Sequence, residues 1–370
     1  MPTNAPTVGG AEIFLQRLAA DLSARGWDVT VVCPSHGAVG ALHSNQPYAV
    51  IQLNLGICAV RWRGIGTLAA LDWRRARAFR RLVADFVCAG APAVLVVQDP
   101  TQQVWSAGLS ANTALRTVIV SHSPFHFPLM RLILAPLFIR ACQRANRVLT
   151  VSQHHRQNLI SAGLDASKVA TIPVGRTPAP ALVTFPADTR AFTIGTFSRL
   201  QREKGIDTAI TAVALLSDRF DLRLMVAGSG PDRSRLERLA QQLGLAERVE
   251  FVGHVQNAQR AMGDCYAVVV PSRDAGESSP AVVIEAQMAG TCVVATPIPA
   301  LKELLADERA GVLAHDEGAP ALAAALEGVL ADIPRRNAIA AYGHATIQAT
   351  HHTDVMLDRL EAELQAVWAP

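Results

Sequence analysis

Two carboxylates, Glu277 and Glu285, bracket the stretch Ser-Ser-Pro-Ala-Val-Val-Ile, and Ala-Gln-Met-Ala-Gly290 follows. Glu277 closes a turn-rich segment, Pro-Ser-Arg-Asp-Ala-Gly-Glu, whereas Glu285 lies in a run with helical apolar spacing. A helix starting near Ser279 or Pro280 points its first N–H groups back toward Glu277. Such a terminus, with amides that have no intrahelical partner, attracts anions. One short segment thereby offers a carboxylate to sugar hydroxyls, amides to a diphosphate and a second carboxylate to a ribose. These are the parts of a nucleotide-sugar pocket.

A second set of charges lies upstream, in Thr193-Ile-Gly-Thr-Phe-Ser-Arg199-Leu-Gln-Arg-Glu-Lys204-Gly205-Ile-Asp. A strand there runs into a loop carrying Arg199 and Lys204, and a helix begins after Gly205. Two cations at a strand's carboxyl end neutralise a diphosphate, Arg as a planar fork and Lys as a point charge. Taken alone, the pair reads as surface charge. Beside the 277–285 segment it reads as the other half of a site where negative charge builds on a departing diphosphate.

The elements that must position these residues alternate along the chain. Residues 29–33, 93–97, 117–120 and 148–151 read as strands, with helices over 12–25 and 73–86. The rhythm then repeats, with strands over 192–196, 222–227, 249–251, 267–270 and 291–295. Helices are predicted over 205–216, 232–243, 280–289 and 321–331. Strand–helix alternation predicts parallel sheets covered on both faces. The Pro-rich, aperiodic stretch around Pro178, Pro180 and Pro186 marks a linker. The expected organisation is a first domain over 1–177, a linker over 178–190, a second domain over 191–350 and a C-terminal helix over 351–370 that packs back toward the first domain. Two doubly wound α/β domains facing a central cleft follow, with ligands at the carboxyl ends of strands. Val8-Gly9-Gly10-Ala11-Glu12 has the form of a Gly-rich loop opening a helix, yet only a polar, Pro-containing segment precedes it. The first strand is therefore absent, or the true start lies upstream of the stated one; the second is the expectation.

Composition sets the outer bounds. The 370 residues, half of them hydrophobic, suffice for two cored domains. No apolar run reaches the roughly 18 residues of a membrane span, and no signal-peptide pattern opens the chain. Cysteines 33, 58, 88, 142, 265 and 292 are scattered without metal-ligand spacing, which reads as reduced, structural thiols in a cytoplasmic protein. The net charge of +3 hides an asymmetry: residues 1–180 hold 17 Lys and Arg against 7 Asp and Glu, leaving 17 against 24 in the remainder. A basic half favours an anionic partner such as a membrane surface, a lipid phosphate or nucleic acid.

Taken together, several segments resemble the retaining GT-B-fold glycosyltransferases of family 4. They are Gly9-Gly10-Ala11-Glu12, Ser198-Arg199 with Lys204-Gly205, Val226-Ala-Gly-Ser-Gly-Pro231, Val249-Glu-Phe-Val-Gly253, Pro271-Ser272, and Glu277 through Gly290. The resemblance spans nearly the whole chain and is strongest over 190–315. It implies that Glu277 holds the donor sugar's hydroxyls and Glu285 the ribose. The amides around Ala281 and Val282 would face the diphosphate together with Arg199 and Lys204, and Ser278 belongs to the same donor-binding segment. Gly9 and Gly10 would let backbone approach the donor closely, which a side chain would obstruct. His254, in Gly253-His254-Val255, lies where the family reads the base through backbone groups; the other reading is an exposed turn histidine. His122, in Val-Ser-His122-Ser-Pro, corresponds to a strand-end histidine beside the transferred sugar, with His126 as a competitor. His36, His154 and His155 read as loop or helix-start residues. Two further departures from the family pattern are Ile172-Pro-Val-Gly-Arg176, where Ile-Pro-Asn-Gly-Val is commoner, and Pro280, where Gly is often found.

The resemblance assigns the acceptor to the first, basic domain. Arg61-Trp-Arg63, the arginines of residues 73–81, and the apolar run 125–140 suit an interfacial segment on anionic lipid, or equally an ordinary helix pair broken at a proline. The expected activity is retaining transfer of a hexosyl unit from a GDP- or UDP-linked sugar to a glycan or lipid-linked acceptor, as in cell-surface polysaccharide or glycolipid synthesis. No metal, no other cofactor and no nucleic-acid partner is expected. The expected location is the cytoplasm, extending to the inner face of the membrane. The alternatives are a nucleotide-sugar epimerase of the same fold and a non-catalytic binder of anionic ligands.

Overall fold

The structure, a computed structural model, describes residues 10–34, 46–53, 73–88, 93–97, 100–107, 109, 115–122, 128–177, 184–273, 280–305 and 309–368. The chain divides into two compact units, residues 1–172 with 357–370, and residues 173–356.

In the first unit, β1 (Thr30–Pro34) pairs with β2 (Ala49–Leu53). β3 (Ala93–Val97), β4 (Leu115–Ser121), β5 (Arg147–Thr150) and β6 (Val169–Thr171) form a four-stranded sheet in that order. All these pairings are parallel. The helices are α1 (Gly10–Ala24), α2 (Trp73–Cys88), α3 (Pro100–Ser106), α4 (Pro128–Arg144) and α5 (Gln153–Ser161). On α2 the inward positions Ala76, Phe79 and Val83 are buried, while Arg77, Arg80 and Arg81 are exposed. That is the apolar stripe and polar back of a helix lying on a core. α4 is one helix with Pro136 inside it, not a pair broken at the proline. Pro136 is exposed, and Phe138, Ala141 and Cys142 on the following turns are buried with Val148 and Leu159. That burial holds the helix together across one missing N–H bond.

The second unit is built on a six-stranded sheet. Its strands are β7 (Ala191–Phe197), β8 (Asp221–Ala227), β9 (Val249–Gly253), β10 (Ala267–Val270), β11 (Cys292–Ala295) and β12 (Val312–Leu313), in the order β12-β11-β10-β7-β8-β9. All pairings are parallel. The helices are α6 (Ile206–Leu216), α7 (Arg233–Gln242), α8 (Ala258–Gly263), α9 (Ala281–Met288), α10 (Pro299–Leu304), α11 (Ala319–Leu330) and α12 (Ile333–His351). Ala267, Val269, Cys292 and Val294 enter one apolar cluster, and Val268, Val270, Val293 and Ala295 enter another. Alternate residues of each strand thus feed cores on opposite faces, as near-continuous apolar runs require. Buried Arg336 of α12 donates to Tyr266 O at 2.8 Å and lies over the rings of Phe185 and Tyr266. This contact ties the segment before β7 to the sheet.

The last helix, α13 (Thr353–Trp368), buries Leu357, Leu360 and Leu364. From residue 357 it belongs to the first unit. There Arg147 grips Glu363 through Nε at 2.5 Å and Nη2 at 3.0 Å, and Arg25 pairs with Asp358 at 2.7 Å. The stretch before Gly10, where a preceding strand would stand, lies outside the described residues, as do residues 178–183 of the expected linker.

Candidate functional site

The strand order of the second unit sets where a ligand can sit. From β7 the chain moves outward through β8 and β9, then crosses back to β10 and continues to β12 on the other side. β7 and β10 are therefore the topological switch point, and the crevice beyond their carboxyl ends is the site this topology provides. The loop after β7 carries Arg199 and Lys204. The segment after β10 leads into α9.

The β7 loop is pinned from two sides. Ser198 N–H donates to Ala227 O at 3.0 Å and Leu200 N–H to Ser229 O at 2.9 Å. A Cβ on Gly228 (φ 136°) would stand 1.9 Å from Ser198 O, and one on Gly230 2.3 Å from Leu200 O. Only glycine permits this approach of the β8 loop to the backbone around Arg199. On the other side, Gly205 (φ 64°) opens α6 with its Cβ position 1.9 Å from Pro271 O. Arg273 N–H donates to Glu203 O at 2.9 Å, and the Arg273 guanidinium bonds Arg202 O, Asp207 and Thr208, each at 2.9 Å. Arg235 reaches the second oxygen of Asp207 at 3.2 Å. The turn bearing Lys204 is thus clamped to the strand on the far side of the switch point. Arg199 is exposed on this frame and Lys204 half-buried.

At α9, Pro280 is the N-cap and makes no side-chain cap bond. The first backbone bond at this end is Val283 N–H to Pro280 O at 3.0 Å. Ala281 and Val282 therefore carry the leading amides of the helix, which have no acceptor among the described residues. Glu285 lies one turn further on, half-buried, and its Oε1 accepts from Arg176 Nε at 2.8 Å. Nothing in the sequence reading anticipated this partner. Its one signal was a cation in Pro-Val-Gly-Arg, where the family pattern has an apolar residue. Glu277 and Ser278 lie outside the described residues. His254 is exposed directly after Gly253 (φ 75°), whose carbonyl accepts from Gly228 N–H at 2.7 Å. Arg199, Lys204, Ala281, Val282, Glu285 and His254 thus all follow carboxyl ends of strands in one sheet.

The remaining predicted residues belong to the first unit. Gly10 is the first residue of α1, and Gly9 lies outside the described residues, as does His126. His122 directly follows β4 and is half-buried. Next to it, Ser121 Oγ lies 2.8 Å from Nε2 of His155, a buried residue in the first turn of α5. Burial, then the nearby His154 and His122, lowers the His155 pKa to about 4. His154 bonds Asn158 instead.

A cavity of about 410 Å3 opens at the other end of the second sheet, beside the amino ends of β7 and β8, lined by Arg190, Arg219, Phe220 and Asp332 among others. No predicted site residue lines it. Among the described residues no cluster of three His, Cys, Asp or Glu is arranged to hold a metal ion, and no helix is long and apolar enough to cross a membrane.

Comparison with known proteins bears on both units. Residues 8–178 match the family described as Glycosyltransferase Family 4, and residues 184–346 the family described as Glycosyl transferases group 1. Each half of the chain thus matches a glycosyltransferase family. A D-inositol 3-phosphate glycosyltransferase of Corynebacterium urealyticum is 35% identical over 182 residues, covering 46% of this chain and 43% of that one. The chain spans about half the length or less of seven curated relatives that it matches, this one included. A phosphatidyl-myo-inositol mannosyltransferase of Mycolicibacterium smegmatis is 28% identical over 335 residues, covering 88% of this chain and 82% of that one. Among solved structures, Anabaena Alr3699/HepE in complex with UDP superposes with a TM-score of 0.79 at 20% identity, covering 97% and 96% of the two chains. The fold of the chain is GT-B, with two Rossmann-like domains.

Proposed function

We propose that the protein transfers a hexosyl unit, with retention of anomeric configuration, from a GDP- or UDP-linked sugar to a glycan or lipid-linked acceptor. The observation that carries this reading is the switch point between β7 and β10, flanked by the Arg199–Lys204 turn on one side and the amide-bearing start of α9 on the other. The matches to two glycosyltransferase families support it, as does a structural neighbour solved in complex with UDP. The mycobacterial relative, named for a phosphatidyl-myo-inositol acceptor, supports a lipid-linked acceptor, and the basic first half of the chain suits an anionic one.

In this reading the diphosphate departs from the anomeric carbon as the acceptor hydroxyl arrives on the same face. The new C–O bond forms where the old one breaks, and a phosphate oxygen of the leaving group takes the hydroxyl proton. Negative charge gathers on the diphosphate, where Arg199, Lys204 and the Ala281 and Val282 amides meet it. Because the clamped turn is already in place, these groups stabilise the transition state without reorganising. Glu277 holds the sugar's hydroxyls and Glu285 the ribose, while His122 hydrogen-bonds near the anomeric carbon. Lys204→Ala and Glu277→Ala are each expected to lower turnover by on the order of 100-fold, read as nucleotide release with a sugar acceptor present. Near-normal turnover in both variants would overturn the assignment.

A further inference from the structure

Glu285 is held by a partner that the proposed reaction does not call for. Arg176 Nε donates to Glu285 Oε1 at 2.8 Å across 109 positions of sequence. The two side chains are only 14% and 26% exposed, so the pair is partly withdrawn from water. Arg176 Nη1 is occupied by Gly175 O at 3.0 Å, which fixes the plane of the guanidinium.

Both ends of this contact are anchored. Arg176 N–H donates to His351 O at 2.8 Å, Thr353 N–H donates to Arg176 O at 3.2 Å, and Arg176 forms a parallel bridge with His352. Gly175 packs so closely that an added Cβ would lie 3.0 Å from both Met356 Cβ and Thr353 Cα. On the other side, Ile284 and Met288 of α9 bury against Ile347 of α12 and Val174. Gln287 Nε2 donates to Ala310 O, and His344 Nδ1 to Gln287 O, each at 2.8 Å. Neither the strand-like backbone of Arg176 nor the helix bearing Glu285 is free to shift.

We propose that Arg176 is a positioning residue for the nucleotide's ribose, fixing the Glu285 carboxylate in the orientation that accepts the ribose hydroxyls. The proposal rests on the assignment of Glu285 to the ribose. A glutamate on a helix otherwise samples several rotamers, and ordering it on ligand binding costs side-chain entropy. A single Nε–H contact leaves acceptor capacity on the carboxylate: Oε2 has no hydrogen bond among the described residues, and Oε1 keeps a second lone pair. A carboxylate is acceptor-only, which suits two hydroxyl donors.

The test is calorimetric titration of the intact protein with UDP and GDP and with their 2′,3′-dideoxy counterparts. Wild type is expected to bind the ribose form of its preferred nucleotide about 10-fold or more tightly than the dideoxy form, the scale of a hydrogen bond to a charged group. Arg176→Met should weaken the ribose form by roughly 10-fold and leave dideoxy binding within about 2-fold. Unchanged dideoxy binding reports an intact fold. Arg176→Lys should recover part of the loss, and Arg176→Gln gives a second variant that keeps a donor. Equal weakening of both nucleotides, an unchanged ratio, or tighter ribose binding in Arg176→Met would each overturn the proposal, the last by showing that Arg176 competes with the ribose. Failure of the underlying assignment looks different. If wild type does not discriminate, or Glu285→Gln keeps full discrimination, Glu285 does not hold the ribose and both ideas fall.

Discussion

His155 is only 1% exposed, and its buried Nδ1 has no hydrogen-bond partner among the described residues, while Nε2 meets Ser121 Oγ at 2.8 Å. A lone pair left unpartnered costs less than an N–H donor, so the tautomer with its proton on Nε2, donating to Ser121, is the consistent one. With a pKa lowered to about 4 from 6.5, chiefly by burial, the ring is neutral in the folded protein at neutral pH. Above pH 6.5 the folded and unfolded chains are both neutral here, and this residue's contribution is fully present. As pH falls below 6.5 the unfolded chain takes up the proton first, and stability is lost until the folded ring titrates near 4. The loss amounts to about 3 kcal/mol at most. Urea unfolding of His155→Leu is therefore expected to lose much of the wild-type pH dependence between 6.5 and 4. An unchanged slope in the variant would show that other groups carry it. In the sequence His155 reads as a helix-start residue, and it is one. Its burial was hidden, because that depends on how β4 and α5 pack rather than on any local pattern.

Gly205 and Gly244 have nearly the same left-handed backbone, φ 64° and 71°, but different surroundings. A Cβ on Gly244 meets nothing within 4 Å, whereas one on Gly205 stands 1.9 Å from Pro271 O. Gly244→Ala should therefore cost only the conformational strain, about 1–2 kcal/mol. Gly205→Ala should cost roughly 1–3 kcal/mol more, because a backbone carbonyl cannot give way as a flexible side chain can. It should also loosen the Lys204 turn and weaken nucleotide binding. Equal destabilisation of the two variants in urea unfolding would mean that the turn is not clamped to β10. The strands that flank this clamp were legible in the sequence because 267–270 is a continuous apolar run and 192–196 sets Phe192 and Ile194 in alternation before the loop. β12, with two residues, and β6, with three, are too short to show a period. α12 buries Ile333, Arg336, Ile339, Ala340, Gly343 and Ile347, which fall on one stripe at helical spacing, but an arginine and a glycine on that stripe break its apolar pattern in the sequence. The strand-to-helix boundaries carried Arg199, Lys204, Ala281, Val282 and Glu285 to one sheet edge without knowledge of packing. The Arg176–Glu285 contact was not readable, because nothing local links residues 109 positions apart.

Across the whole molecule, the chain's charge split and its path meet in one helix. Residues 1–180 carry the excess of basic residues, and the acidic remainder includes the end of α13. There Asp358, Glu361 and Glu363 face Arg25, Trp27 and Arg147 of the first unit. Arg25 bonds Asp358 and Glu361 at 2.7 and 3.1 Å, Trp27 Nε1 donates to Glu361 at 3.0 Å, and Arg147 grips Glu363. Exposed pairs of this kind contribute little singly, so the buried Leu357, Leu360 and Leu364 are the larger part of the attachment. The first unit is therefore discontinuous in sequence and depends on the last residues of the chain, whereas the second unit runs unbroken from 173 to 356. A chain ending at residue 356 should lower the stability of the first unit and speed its cleavage in limited proteolysis, with cuts between residues 10 and 172. Residues 173–356 should resist cleavage, and nucleoside diphosphate should still protect them. Replacing Leu360 and Leu364 by alanine in the full chain should reproduce the effect in part, at about 2–5 kcal/mol for each leucine. Replacing Asp358 and Glu361 by their amides should do far less. If truncation instead exposed residues 173–356 first, or left both units equally protected, α13 would not be the element that completes the first unit.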